Sequence, residues 1–403
     1  MEPAIWVFLL EKDPDLWICT SIYDIIFNLN KMIASLEGGT FVQIRGGALA
    51  FTWIGCFLGA GFVSGQEISQ FFNHFGLAGL FGQVLAICLL ALLCGVIFRF
   101  SQKTGMDQVH QVAVPVESTF LRGLACVVSV TYMYSIYIVM CSGAGTMLEQ
   151  VTGSQGLRLG GSAVFCTAVT LVAIRGMGGA IRVFSRIMPV LVTLSLLVVT
   201  CALVTYGGEG LSFQPANTRN PLVNQWLVAA LTFVSYNFLS GLGTLSSLGT
   251  MVRSKRDISM GVFLGGVALL VVSLGIHCAM TSLPVCMEAE LPMLYLAGAL
   301  NPAFQGLYAV VILLGMFGAS MSVFVPVPQY LLRFSRFRRY PVLVPVILST
   351  LAFVLSQVGF SNLIGTLYPI YGFVGFAYIA GILIHAWMIH RKNMTGGDHG
   401  TNQ

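Results

Sequence analysis

Residues 59–67 read Gly59-Ala60-Gly61-Phe62-Val63-Ser64-Gly65-Gln66-Glu67, and they interrupt an apolar run that extends from residue 46 to residue 75. Without the interruption the run is long enough to cross a bilayer, which takes ~20 apolar residues as a helix. Three glycines in seven residues weaken that helix, each by about 1 kcal/mol relative to alanine. Backbone that unwinds at membrane depth survives only where it is buried in protein or lines a cavity. Taken alone, Gly61 and Gly65 fit the close packing of small-xxx-small helix contacts equally well.

A second interruption tips the balance. Ser235-Tyr236-Asn237-Phe238-Leu239-Ser240-Gly241-Leu242-Gly243 again sets polar groups and glycines in the middle of an apolar run, five helices further on. An odd number of helices per half makes the second half enter from the opposite side. Matching interruptions in two such halves point to a transporter site at an inverted repeat.

Composition agrees. Of 403 residues 56% are hydrophobic and only 9% charged, where a soluble domain carries about 25% charged residues. The apolar runs predict ten helices, at 46–75, 77–100, 119–148, 157–175, 180–206, 221–252, 258–282, 304–324, 341–360 and 363–390. Sixteen of the 20 basic residues fall on one set of connections, and only Arg158 and Arg219 on the other. The positive-inside bias then predicts a multi-pass protein of the cell membrane with both termini in the cytoplasm. The outer connections carry Glu149, Glu209, Glu288 and Glu290, and 291–300 reads as a short outer helix over a vestibule.

The expected architecture is all-α, two inverted five-helix repeats with the first and sixth helices broken. Residues 46–393 form the membrane domain and 394–403 a polar tail. Residues 1–45 read as an extension, and the acidic stretch 1–31 suggests a start at Met32. Its short apolar stretch has no basic flank, unlike a signal peptide. Ten scattered cysteines with no Cys/His cluster give no metal site and no cofactor. Nothing suggests nucleic acid, and no HExxH, GxSxG or paired intramembrane aspartates suggest an enzyme. The partners expected are a small solute, the bilayer and protons.

Glu67 is the only acidic residue placed inside a span, and such a residue is a functional candidate. The competing structural reading seats its carboxylate on the first turn of the outer half-helix, in the field of the helix dipole. A protonatable Glu67 couples transport to protons, so Glu67→Gln is expected to keep exchange and lose pH-driven accumulation. His277 and His385 read as interfacial.

The 59–67 stretch followed by Ile68, with Cys141-Ser142-Gly143-Ala144-Gly145 and Leu291-Pro292-Met293-Leu294, resembles the YkvI-type family of bacterial proteins regarded as amino-acid permeases. That family lies in the amino acid–polyamine–organocation superfamily, and the resemblance implies the LeuT-like fold. It implies that Ala60, Gly61 and Phe62 offer backbone N–H groups to a substrate carboxylate. Ser235, Tyr236 and Asn237 would take the amine or side chain. Within the third-helix polar run of Thr131, Tyr132, Tyr134, Ser135 and Tyr137, Tyr134 and Ser135 are the expected liners.

Proton-coupled superfamily members can carry a basic residue where relatives hold sodium, and Arg186 before Pro189 matches that place. Arg hardly ever deprotonates, so it would stand in for the ion without carrying a proton; a snorkelling residue at the inner face is the alternative. A sodium site would need hydroxyls on the eighth helix. Ser320 and Ser322 are two apart, about 200° around a helix, so sodium is disfavoured. An amino-acid sensor on the same fold, binding without transport, is the second functional reading.

Overall fold

In the computed structural model, residues 46–395 are described, apart from 108, 117, 176–178, 210–212, 214–219 and 333. The N-terminal extension, the end of the polar tail and the side chain of Arg186 lie outside the described residues. The first predicted span resolves into α1 (Gly46–Phe57), α2 (Ala60–Val63) and α3 (Gln66–Phe71). Then come α4 (Leu77–Thr104), α5 (Val109–Ala113), α6 (Thr119–Thr152), α7 (Gln155–Arg175) and α8 (Gly179–Tyr206). The second half holds α9 (Trp226–Met251), α10 (Lys255–Ser282), α11 (Pro292–Leu300), α12 (Pro302–Phe324), α13 (Pro326–Leu332), α14 (Leu343–Ser356) and α15 (Phe360–Thr395). No strand occurs among the described residues.

Among the described residues seven helices are long and apolar enough to cross a membrane, and three shorter apolar ones, within α1, α8 and α14, occupy other predicted runs. The outer helix expected at 291–300 is α11. The ends follow local chemistry. Ser118 caps α6 by accepting the Leu121 N–H, and Gly153 closes it in the left-handed region at φ 71°. Asn301 caps α12 with Pro302 at its first position.

α9 lies at the centre: 72% of its apolar window is buried, against 33% for α7. It packs on α4, α15 and α1. Large apolar side chains such as Phe81, Val204 and Phe263 remain exposed elsewhere on the bundle, the expected surface for contact with lipid.

The first helix is broken as expected, but the sixth is not: α9 runs unbroken through Asn237 and Gly241. Its polar groups find acceptors within the helix. Asn237 Nδ2 donates to Phe233 O at 3.0 Å and Ser240 Oγ to Asn237 O at 2.7 Å. Its glycines serve close packing, since a Cβ at Gly241 would lie 3.1 Å from the Phe57 ring and one at Gly249 2.9 Å from Phe98 O. An interruption does occur in α15, where Pro369 lies inside the helix. The missing N–H leaves Gly365 O free, and Asn220 Nδ2 donates to it at 2.6 Å.

The α6–α7 contact depends on glycine. A Cβ at Gly145 would lie on Ser162 Oγ and 2.6 Å from Arg158 O, whereas Gly160 on α7 has open space. Overpacking typically costs about 1–3 kcal/mol. Gly145→Val is expected to lower the melting temperature in detergent by several degrees, and Gly160→Ala to leave it unchanged. Thermal-shift size-exclusion chromatography of both variants checks this; equal melting would mean the two helices do not meet at Gly145.

Candidate functional site

The break begins where α1 ends. Leu58 N still donates to Ile54 O at 2.9 Å, and then Gly59 O takes the N–H groups of both Phe62 and Val63 at 3.1 Å. Of the three N–H groups expected to face a ligand, that of Phe62 is therefore spent. Ala60 and Gly61 stand in the first turn of α2, where N–H groups have no acceptor within the helix. Ser64 Oγ donates to Gly61 O at 2.8 Å. Gly65 then turns the chain at φ 83°, in the left-handed region that favours glycine.

Neighbours hold the exposed carbonyls of the break. Tyr308 of α12 donates its hydroxyl to Val63 O at 2.6 Å and pairs with Ser195 Oγ of α8 at 2.9 Å. Met293 N at the start of α11 donates to Ser64 O at 2.9 Å. The helix α11 is thus seated directly on the broken backbone.

The turn at Gly65 sends α3 away, yet Glu67 on its first turn reaches back. A Cβ built on Gly61 would collide with Glu67 Oε1. The other oxygen, Oε2, accepts the Tyr236 hydroxyl at 2.5 Å. The carboxylate is 5% exposed and Tyr236 2% exposed, so the pair is shielded from water. Tyr132 of α6 donates to Tyr236 O at 3.1 Å. The Tyr236 ring lies 4.7 Å from that of Tyr368 and 5.3 Å from that of Phe71, centroid to centroid. Tyr371 completes the group, 4.5 Å from the Tyr132 ring and hydrogen-bonded to Ser135 Oγ at 3.0 Å.

Gly61, Glu67, Tyr236 and Ser135 therefore belong to one neighbourhood. Tyr134 does not, because its hydroxyl donates to Leu348 O of α14 at 2.8 Å. Two positions along a helix turn a side chain about 200°, so Tyr132 and Tyr134 leave α6 on opposite faces. Ser235 points at α15, where a Cβ at Gly375 would lie 2.6 Å from its Oγ, and Asn237 is engaged within α9. Phe62 packs near Phe233. Ser322 donates to Gly318 O within α12 at 3.1 Å, while Ser320 Oγ is buried with no partner among the described residues. His277 is buried rather than interfacial, paired with Gln83 at 2.6 Å.

Tyr368 and Tyr371 are the residues that sequence reasoning missed, and Tyr132, named in the third-helix polar run, was passed over for Tyr134. The available signal was spacing: Tyr132 and Ser135 share a face at i, i+3, and so do Tyr368 and Tyr371 beside Pro369.

Above the break lies an ionic cluster. Arg158 donates to both oxygens of Glu290, at 2.8 and 3.1 Å, and to Glu149 at 2.9 Å. Glu290 Oε2 also accepts the N–H groups of Phe360 and Ser361, at 2.7 and 3.3 Å, and the Thr146 hydroxyl at 3.2 Å. A single carboxylate joins the α11 approach to α6, to α7 and to the start of α15. Ser361 in turn accepts from Gln66 at 2.6 Å and Gln70 at 2.9 Å on both sides of Glu67.

No protein-family model matches the chain. It is 25% identical over 354 residues to the Bacillus subtilis membrane protein YkvI, covering 85% of this chain and 96% of that one. It is also 25% identical over 343 residues to YyaD of the same organism, covering 82% and 94%. Among solved structures, Mhp1 in its inward-facing conformation aligns with a TM-score of 0.63 at 13% identity, over 86% of this chain and 77% of that one. MhsT in complex with L-phenylalanine aligns at 0.57 and 16%, over 84% and 91%. A Na+-coupled sialic acid symporter aligns at 0.52 and 9%, over 92% and 86%. The chain is thus similar to YkvI-type membrane proteins along most of its length and has the LeuT-like fold.

Proposed function

We propose that this protein is a secondary active transporter that moves a small solute by alternating access, with Glu67 at the first-helix break as the residue joining solute binding to proton movement. The observation that carries this reading is the placement of the only buried carboxylate among the described residues. It stands at the unwound backbone, hydrogen-bonded across to the central helix through Tyr236. An ionisable group at membrane depth marks a substrate or proton pathway. Mhp1, MhsT and the sialic acid symporter share the fold, which supports transport as the class of function.

The solute class that the resemblance suggests is an amino acid or a related carboxylate, taken up with proton coupling or exchanged. Sodium is disfavoured, because Ser320 and Ser322 of α12 stand two residues apart, about 200° around the helix, and cannot both face one ion. The charge split supports both termini in the cytoplasm, which would put the Arg158 cluster on the outer side. Uptake and counterflow in proteoliposomes against an amino-acid and amine panel, with pH and sodium gradients varied, test the reading. Binding without flux would turn the protein into a sensor.

Gly61 offers a direct check. Its Cβ would collide with the Glu67 carboxylate, so Gly61→Ala must displace the acid from the break. Solute affinity is expected to fall at least tenfold while the protein remains monodisperse in detergent. Unchanged affinity would mean that the glycine serves helix packing only.

A further inference from the structure

The chemistry around Glu67 decides what kind of group the site recognises, a question that rests on the transporter reading above. We propose that the recognised group is a cation, an ammonium carried by the solute, with Glu67 as its counter-charge. A solute carboxylate is then dispensable, and simple amines are ligands.

The protein's own carboxylate carries the first part of the argument. Glu67 Oε1 stands against Gly61, at the backbone where the resemblance would seat a solute carboxylate. A second carboxylate there would face the first across a site shielded from water, where like charges repel strongly. Among the described residues no lysine or arginine is buried, and the one buried histidine, His277, is paired with Gln83. No described cation is therefore at hand to balance two acids, whereas a single ammonium balances one.

The hydroxyl groups point the same way. An anion needs donors, and two tyrosine hydroxyls beside the carboxylate are spent on protein acceptors, Tyr236 on Glu67 and Tyr132 on Tyr236 O, while the Gly61 backbone at the break already has Glu67 Oε1 against it. What the neighbourhood offers instead is acceptor oxygen and aromatic faces. Phe71, Tyr236 and Tyr368 form a continuous ring cluster beside the carboxylate, with centroid separations of 5.3 and 4.7 Å, and Tyr132 with Tyr371 adds a second at 4.5 Å. Aromatic faces attract ammonium groups through the ring quadrupole. A carboxylate flanked by tyrosines is a cation site by charge and by surface.

The test is a thermal-shift and equilibrium-binding panel on the purified full-length protein. Each common amino acid is compared with its decarboxylated amine and its deaminated acid, for example L-phenylalanine, phenethylamine and 3-phenylpropionate. The amine of at least one trio is expected to bind and stabilise the protein, and no deaminated acid to do so. Glu67→Gln, which keeps the side-chain shape, should weaken amine binding at least a hundredfold, and Glu67→Asp should keep the preference for amines. Binding of a deaminated acid, unchanged amine affinity in folded Glu67→Gln, or no amine bound at all would overturn the proposal. Should amines bind but fail to cross proteoliposome membranes, the transport reading fails while the counter-charge stands. Flux of a deaminated acid would do the reverse.

Discussion

Glu67→Gln should abolish both binding of the solute and its accumulation under a pH gradient. Removing one member of a buried charge pair costs about 3–5 kcal/mol, and each 1.4 kcal/mol is about tenfold in affinity, so the loss is roughly a hundredfold or more. From its position in the sequence Glu67 was expected to act beside the site, leaving exchange intact in this variant. The structure brings its carboxylate back to Gly61, so in the transport proposed above one group would serve both binding and coupling. A carboxylate that holds either a proton or an ammonium exchanges one for the other.

The titratable side chains set against it are Tyr236 of α9, Tyr368 of α15 and Tyr132 of α6, while His277 of α10 is engaged with Gln83. An inside-acid gradient is therefore expected to drive amine uptake, and an inside-alkaline gradient to oppose it. Counterflow and pH-driven uptake, measured side by side in wild type and Glu67→Gln, decide the matter. Concentration of solute by the variant would move coupling to another residue and return Glu67 to a structural role at the helix start.

Arg158→Ala is the second variant with a large expected effect, and it acts on the ionic cluster that ties the α11 approach to α6, α7 and the start of α15. The guanidinium binds both oxygens of Glu290 and one of Glu149, with the three side chains 22–29% exposed. Its removal leaves two carboxylates without their shared cation. Hydrogen bonds to charged groups contribute about 1.5–3 kcal/mol each when buried, but solvent screening of these partly exposed groups cuts the three together to about 2 kcal/mol. A loss of about 2 kcal/mol shifts the closed-to-open ratio roughly thirtyfold.

The readout is hydrogen exchange at Phe360 and Ser361, whose N–H groups donate to Glu290. Exchange there should accelerate ten- to thirtyfold in Arg158→Ala, and still more in Glu290→Ala, which removes the acceptor itself. The centre of α9 should remain protected. Unchanged protection at Phe360 would mean that the Arg158 cluster does not hold this junction.

How far the site was legible depended on whether the signal was local. Glycines at 59, 61 and 65 weaken a helix wherever it sits, and the first span does break there. The same reading failed at Ser235–Gly243, because a polar side chain in a helix can return its hydrogen bond to the preceding turn. Asn237, Ser240 and Ser246 each donate to a backbone carbonyl three or four residues back. Glycine 241 is used for its missing Cβ, beside Phe57, rather than for its freedom of backbone.

The sequence by itself determined the membrane class, the all-helical architecture and the break at Gly61, and it singled out Glu67 as the lone acid within a span. Each of these follows from the free energy of placing apolar, charged or helix-weakening residues in a bilayer, which depends on the chain locally. Tertiary structure alone decided that Glu67 folds back onto the break, that Tyr132 rather than Tyr134 faces it, and that Arg158 and Glu290 meet above it. Those outcomes depend on how each helix is rotated about its axis, and rotation is set by contacts between residues far apart in the chain, such as Gly145 against the Arg158 backbone and Gly375 against Ser235.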